Sequence, residues 1–267
     1  MLGSGSAGNA VLIECGDSRV LVDAGFVPRT LAMRLRAIGI APASIEACIV
    51  THEHTDHARG AAAGARRWGW ALYASAGTIG ACPELREARC TRVAAGEPVR
   101  LSRMELTTFT IPHDAASPVG VRLACADTGA SAVVCTDVGH ASDNVRALCS
   151  GADLLVLESN YDEGMLRAGP YPPSVQARIG SRTGHLSNRA CADLVRSVVH
   201  RDLAHVVLAH LSAHCNDHGL ALQTTADALR RTRYRGALSV AMQHDVSGPF
   251  FPRAGRGAPE AQFPLGL

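Results

Sequence analysis

The chain has 267 residues, 47% of them hydrophobic, which suits one large α/β domain or two small ones and is ample for a sizeable core. A net charge of +2 excludes a global nucleic-acid signature, and no apolar run approaches the roughly 18 residues of a membrane helix. All 26 basic residues are arginine, whose fork suits phosphate clamping, but with the abundant alanine GC-rich coding is the simpler cause.

Residues 3–9 form a glycine/serine loop, followed by apolar residues 10–13, a turn at Gly16-Asp17 and a second strand at 19–22 ending in Asp23-Ala24-Gly25. No basic residue precedes Arg19 and the run 10–13 is too short for a signal peptide, so a cytoplasmic protein with no membrane partner is expected. Pro28 opens a helix with Leu31, Leu35 and Ile38 on one stripe, stopped by Gly39. A strand at 45–50 precedes a helix at 60–68 and a short strand at 72–74, whereas 82–98 reads as surface connection plus an edge strand. Alternating or continuous apolar runs predict strands at 104–111, 119–124, 131–135, 153–157, 205–209 and 238–242. Helices are expected at 188–199, capped by Ser187 or Asn188, and at 220–231. Residues 164–184 read as a long loop or broken helix of the kind that carries function. Residues 1–252 are expected to form one domain and 253–267 a Pro/Gly-rich tail. Nine cysteines, an odd number without any C-x-x-C, are read as reduced core thiols.

The densest chemistry is Thr51-His52-Glu53-His54-Thr55-Asp56-His57, directly after an apolar strand. Residues two apart on extended chain face the same side, so His52 and His54 can converge on one ion. Imidazole plus carboxylate suits zinc, manganese or iron. Position 56 is Asp, so the zincin pattern H-E-x-x-H fails and the site is loop-borne. Other strands end at Asp23, Asp137 and His210, and His113 closes a further one; ligands at strand ends along one edge build a common cleft.

These motifs, with the upstream Leu21-Val22-Asp23-Ala24-Gly25, resemble those of the metallo-β-lactamase superfamily. Gly3 to Asn9, Pro112-His113-Asp114-Ala115, Glu158-Ser159-Asn160, Gly184-His185-Leu186-Ser187-Asn188 and Ala209-His210-Leu211-Ser212 look like its YycJ/WalJ branch. The resemblance implies an α/β four-layer αβ/βα sandwich with two mixed sheets flanked by helices. It implies two divalent ions, zinc or manganese with iron an option: one held by His52, His54 and His113, the other by Asp56, His57 and His210, with Asp137 bridging. Asp23 would fix a ligand's tautomer. It further implies phosphodiester hydrolysis, a DNA exonuclease working 5′ to 3′, in which Asp56 or Asp137 holds a metal-bridging hydroxide in line and His185 contacts phosphate or protonates the leaving oxygen.

Ser6, Asn9, Asn160, Arg178 and Arg182 are candidate substrate contacts, against turn or loop roles, and Tyr161 or Tyr171 candidate base-stacking residues. His140, His214, His218 and His244 lie near motifs without a ligand assignment. A small cyclic or alkyl phosphodiester is the competing substrate, and a non-catalytic metal-binding protein the competing class. Lactam cleavage is disfavoured because position 137 is Asp rather than Cys.

Overall fold

The computed structural model describes residues 1–252; the tail expected at 253–267 lies outside the described residues. Twelve strands among them form two sheets. The first contains β1 (Val11–Cys15), β2 (Ser18–Val22), β3 (Ala47–Val50), β4 (Ala71–Ser75) and β5 (Thr91–Val93) in that order. The second runs β12 (Ala237–Val240), β11 (His205–Ala209), β10 (Leu154–Glu158), β9 (Ser131–Cys135), β8 (Val119–Cys125), β7 (Met104–Thr110), β6 (Val99–Leu101). Both are mixed: β1 and β2 pair antiparallel while β2 to β5 are parallel, and β9 to β12 are parallel beside the antiparallel β6 to β9.

Period-two alternation assigns each strand's two faces to different cores. On β3, Ala47 and Ile49 enter the layer between the sheets, with Val20, Leu106, Val121 and Val207; Cys48 and Val50 enter the layer under α1 (Pro28–Ala37) and α3 (Ala61–Trp68), with Leu31, Leu35 and Trp70. On β10, Val156 faces the first layer, whereas Leu155 and Leu157 pack with Val145 of α6 (Asp143–Cys149), Leu194 of α9 (Asn188–Val198) and Ala221 of α10 (His218–Leu229). Helices, sheet, sheet and helices therefore make four layers, the architecture expected from the sequence.

The segment 164–184 is a broken helix: α7 (Glu163–Ala168) and α8 (Pro173–Ile179), separated by a Gly/Pro stretch. The short helices α2 (Thr55–Ala58), α4 (Ala76–Ala81) and α5 (Pro83–Glu87), together with α6, go beyond the sequence reading. Ile38 departs from it: α1 stops at Ala37, Gly39 turns the chain at φ 76°, and Ile38 is left 41% exposed. The cysteines need a second correction. Cys15 at the end of β1 and Cys125 at the end of β8 form a disulfide between the two sheets, so seven thiols are free, six of them buried and Cys90 half-buried. Spacing could not disclose a partner 110 residues away. No helix among the described residues is long and apolar enough to cross a membrane.

Candidate metal centre

The strand-end rhythm of the sequence becomes one rim. Asp23 follows β2, His52 and His54 follow β3, Asp137 follows β9, Glu158 ends β10 and His210 follows β11. Three of these residues, Asp23 (φ 62°), Asp137 (φ 59°) and His210 (φ 54°), adopt left-handed backbone although none is glycine. Each costs on the order of 1–3 kcal/mol and persists only where the surroundings over-determine it. Beside them a Cβ on Gly25 would lie 1.7 Å from the carbonyl oxygen of Asp56, so only glycine lets these two loops touch.

Four imidazoles are anchored from behind by Nδ1 and turn Nε2 inward. His57 Nδ1 donates to Asp23 Oδ2 (2.8 Å), His210 Nδ1 to Glu158 Oε1 (2.9 Å), His113 Nδ1 to the Gly184 carbonyl (3.1 Å) and His52 Nδ1 to Thr51 Oγ1 (3.0 Å). Thr51 passes its own proton to Asp23 Oδ2 (2.9 Å), so Asp23 orients His57 directly and His52 through Thr51. His54 is reversed: its Nδ1 lies 3.1 Å from His52 Nε2 and 3.3 Å from His113 Nε2. The ligand atoms of His52, His54 and His113 lie within 4.8 Å of one another, as do those of Asp56, His57 and His210 and those of His52, His57 and Asp137; each trio could hold a metal ion. All seven expected ligands are therefore brought together.

The electrostatics are those of a crowded ionic cluster. Burial works against charge on His57, yet Asp137 and Asp23 outweigh it and hold the ring well above the ordinary imidazole range. His210 is likewise pushed up to about 10, burial opposing and Asp137 prevailing. Burial, then the charge of His57, pushes His52 well below that range. Burial would raise Asp137, but His210 and His57 hold it well below the usual carboxylate range. Protons on these rings balance the carboxylates where a cation would otherwise do so, and cation binding would release them. His57 Nε2 lies 3.0 Å from Asp137 Oδ2 without the alignment of a hydrogen bond, and Asp137 Oδ2 and His210 Nε2 are buried polar atoms with no hydrogen-bond partner. Groups left so are costly unless something pairs with them. The donor set and these two orphaned atoms fit divalent cations of the zinc or manganese type.

Glu158 is the residue that sequence reasoning passed over. It is fully buried, and four donors converge on it: Val138 N (2.7 Å) and Leu186 N (3.0 Å) on Oε2, His185 Nδ1 (2.7 Å) and His210 Nδ1 (2.9 Å) on Oε1. Burial disfavours its charge, but His185 and these donors bring it down to about 2. His185 is in turn raised: burial opposes and Glu158 wins. The clue was available in the strand-ending Glu158-Ser159-Asn160, which followed the same rhythm as the assigned ligands.

Ser6, His54, Asp56, His113, Asp137, His185 and His210 line a cavity of about 230 Å³, whose outer wall is Val175, Arg178 and Ile179 of α8. Three proposed substrate contacts, Asn9, Asn160 and Arg182, are not among its lining residues. Asn9 is buried, its amide engaged by Gly5 and held 3.0 Å from His57 Nε2 and 3.3 Å from Asp56 Oδ2. Asn160 donates to the His210 carbonyl (2.8 Å). Both brace the cluster. Arg182 is exposed and donates to His140 Nε2 (3.0 Å), whose Nδ1 returns a bond to the Arg182 carbonyl. Tyr161 is buried with Leu166 and Cys215 and offers no stacking face, and Tyr171 meets His214 edge-on. His218 and His244 line a separate cavity.

The family model "Beta-lactamase superfamily domain" matches residues 18–211. Exodeoxyribonuclease YycJ of Bacillus anthracis is 31% identical over 233 residues, covering 86% of this chain and 88% of the relative. Exodeoxyribonuclease WalJ of Streptococcus pneumoniae is 31% identical over 235 residues, covering 86% and 87%. Among solved structures, the metallo-β-lactamase fold protein YhfI from Bacillus subtilis superposes with a TM-score of 0.68 at 16% identity, over 90% of this chain and 93% of that one. Human tRNase Z, short form, superposes with a TM-score of 0.61 at 16% identity, over 93% and 98%. At that identity the two structures speak for the fold alone. With its motifs, layers and relatives in agreement, the chain belongs to the metallo-β-lactamase superfamily and, within it, to the YycJ/WalJ branch.

Proposed function

We propose that this metal-dependent hydrolase is a binuclear phosphodiesterase acting on DNA as a 5′-to-3′ exonuclease. The observation that carries the reading is the clustering of seven ligand-type side chains, five of them lining one cavity and His52 and His57 buried, at the motif positions of a branch whose relatives are named exodeoxyribonucleases. His52, His54 and His113 would hold one ion and Asp56, His57 and His210 the other, with Asp137 between. Bound there, divalent cations acidify water and neutralise charge on phosphate oxygens. The remaining work falls to the chain. Asp56 and Asp137 orient the attacking oxygen. Glu158 keeps His185 protonated on Nδ1 and leaves Nε2–H to reach the leaving oxygen. Ser6, which lines the cavity, would donate to a phosphate oxygen, and the exposed Arg182 would steer the strand.

Zinc or manganese is the proposed metal and the cytoplasm the proposed compartment, where the Cys15–Cys125 bond would be the exception among reduced thiols. The modest cavity favours the second reading, a small cyclic or alkyl phosphodiester. Degradation of 5′- and 3′-labelled single- and double-stranded DNA, under a panel of metals and with chelator, separates the two. Chelator-sensitive shortening from the 5′ end supports the exonuclease; intact DNA beside turnover of a small phosphodiester replaces it.

A further inference from the structure

The cavity is polar on every side but one. Its apolar lining comes from α8, where Val175 and Ile179 lie four residues apart and Arg178 three after Val175, so all three share one helix face. No residue of this helix is buried, and Val175 stays 37% exposed beside the metal centre. Its C-terminal end is nonetheless held tightly against the site. The His185 amide donates to the Ile179 carbonyl (2.8 Å), and a Cβ on Gly184 would lie 2.2 Å from that oxygen and 2.3 Å from the Arg178 carbonyl oxygen. The helix face and His185 therefore keep a constant spacing.

Arg178 does not offer an unpaired charge. Its Nε (2.7 Å) and Nη2 (2.6 Å) both grip Asp114 Oδ2, on the loop that carries His113. Two bonds from one edge orient the guanidinium plane, while the side chain remains 69% exposed. A charge-paired, flat guanidinium on the same helix face as two aliphatic side chains is a weaker phosphate clamp and a platform for a nucleobase. A cavity of about 230 Å³ falls below the range that encloses a drug-sized ligand and is too small to admit a stacked duplex end.

We propose that Val175, Arg178 and Ile179 form the stacking shelf for the nucleoside attached to the scissile phosphate, which makes the site selective for an unpaired strand terminus. This rests on the phosphodiesterase reading and narrows its substrate. The test compares kcat/KM of the metal-loaded enzyme for thymidine 5′-(4-nitrophenyl phosphate) and for methyl 4-nitrophenyl phosphate, which carries no base. The wild type should prefer the thymidine ester by about tenfold or more, the scale of one base stacked on a side chain. Arg178→Ala should collapse that ratio, and Arg178→Lys, which keeps the charge and loses the plane, should collapse it nearly as far. In calorimetry the wild type should bind thymidine 5′-monophosphate more tightly than inorganic phosphate, and Arg178→Ala should lose that difference. A wild-type ratio near one, or a ratio untouched by Arg178→Ala or preserved by Arg178→Lys, overturns the shelf alone. Hydrolysis of neither ester overturns the phosphodiesterase reading and the shelf with it.

Discussion

His57 Nδ1 donates to Asp23 Oδ2 at 2.8 Å with both side chains buried, so a carboxylate 34 residues upstream decides which nitrogen of His57 faces the cluster. The same carboxylate reaches His52 through Thr51. Asp23→Asn should therefore weaken metal affinity by about 10- to 100-fold, as loss of such outer partners does. Metal titration with a competing chelator measures it, and unaltered affinity would remove Asp23 from the site.

His54 is half-buried and joins the trio with His52 and His113 through Nδ1. His54→Ala should abolish phosphodiester turnover and bind less metal while its circular dichroism stays native. Normal turnover of bis-p-nitrophenyl phosphate by this variant would exclude His54 from the centre.

His185 is assigned to the substrate rather than to the metal. His185→Ala should lower turnover by about 10²–10⁴-fold, the usual contribution of a positioned acid, with metal content by elemental analysis largely retained. Equal loss of both would make it a ligand. Because Glu158 holds the His185 pKa above the ordinary value, removing that charge lowers it. An acid must be protonated to act, so in Glu158→Gln the alkaline fall of kcat should begin at lower pH than in the wild type. A coincident profile would separate Glu158 from proton transfer.

If DNA is the substrate, affinity should follow counterion release. With two or three phosphates contacted, binding of a single-stranded oligonucleotide should weaken by about tenfold between about 50 and 200 mM salt. Arg182→Ala should flatten the slope of log affinity against log salt. A salt-independent interaction would point to the small phosphodiester.

The Cys15–Cys125 bond closes a loop of 110 residues, for which the chain-entropy argument gives about 5 kcal/mol. Urea unfolding of the oxidised protein should therefore have a higher midpoint than that of Cys15→Ser. Equal midpoints, or two free thiols by intact mass after alkylation, would show that the bond does not form in solution.

The parts legible in the sequence were those whose signal is local. His52 to His57 announce themselves by density, and Asp23, Asp137 and His210 by ending apolar runs. The four layers followed from the family motifs. What escaped depends on contacts between distant segments. Glu158 ends an apolar run like the ligands, but its role as the acceptor shared by His185 and His210 on Oε1 is set by distant segments. Asn9 and Asn160 carry the right chemistry for phosphate, but their direction is set by Asp56, His57 and His210, which spacing does not encode. Arg178 looked like a mobile cation because Asp114, its partner, sits 64 residues away.

The seven cluster residues are drawn from chain positions 52 to 210, and two of them, with Asp23, are pinned in left-handed backbone by loops from both sheets. Each of the three trios that would hold the cations draws on segments at the ends of both sheets. Uptake of a cation by one of these trios therefore reports that the two halves have met, and a chelator competition curve would grade a preparation's assembly without reference to any catalytic assay.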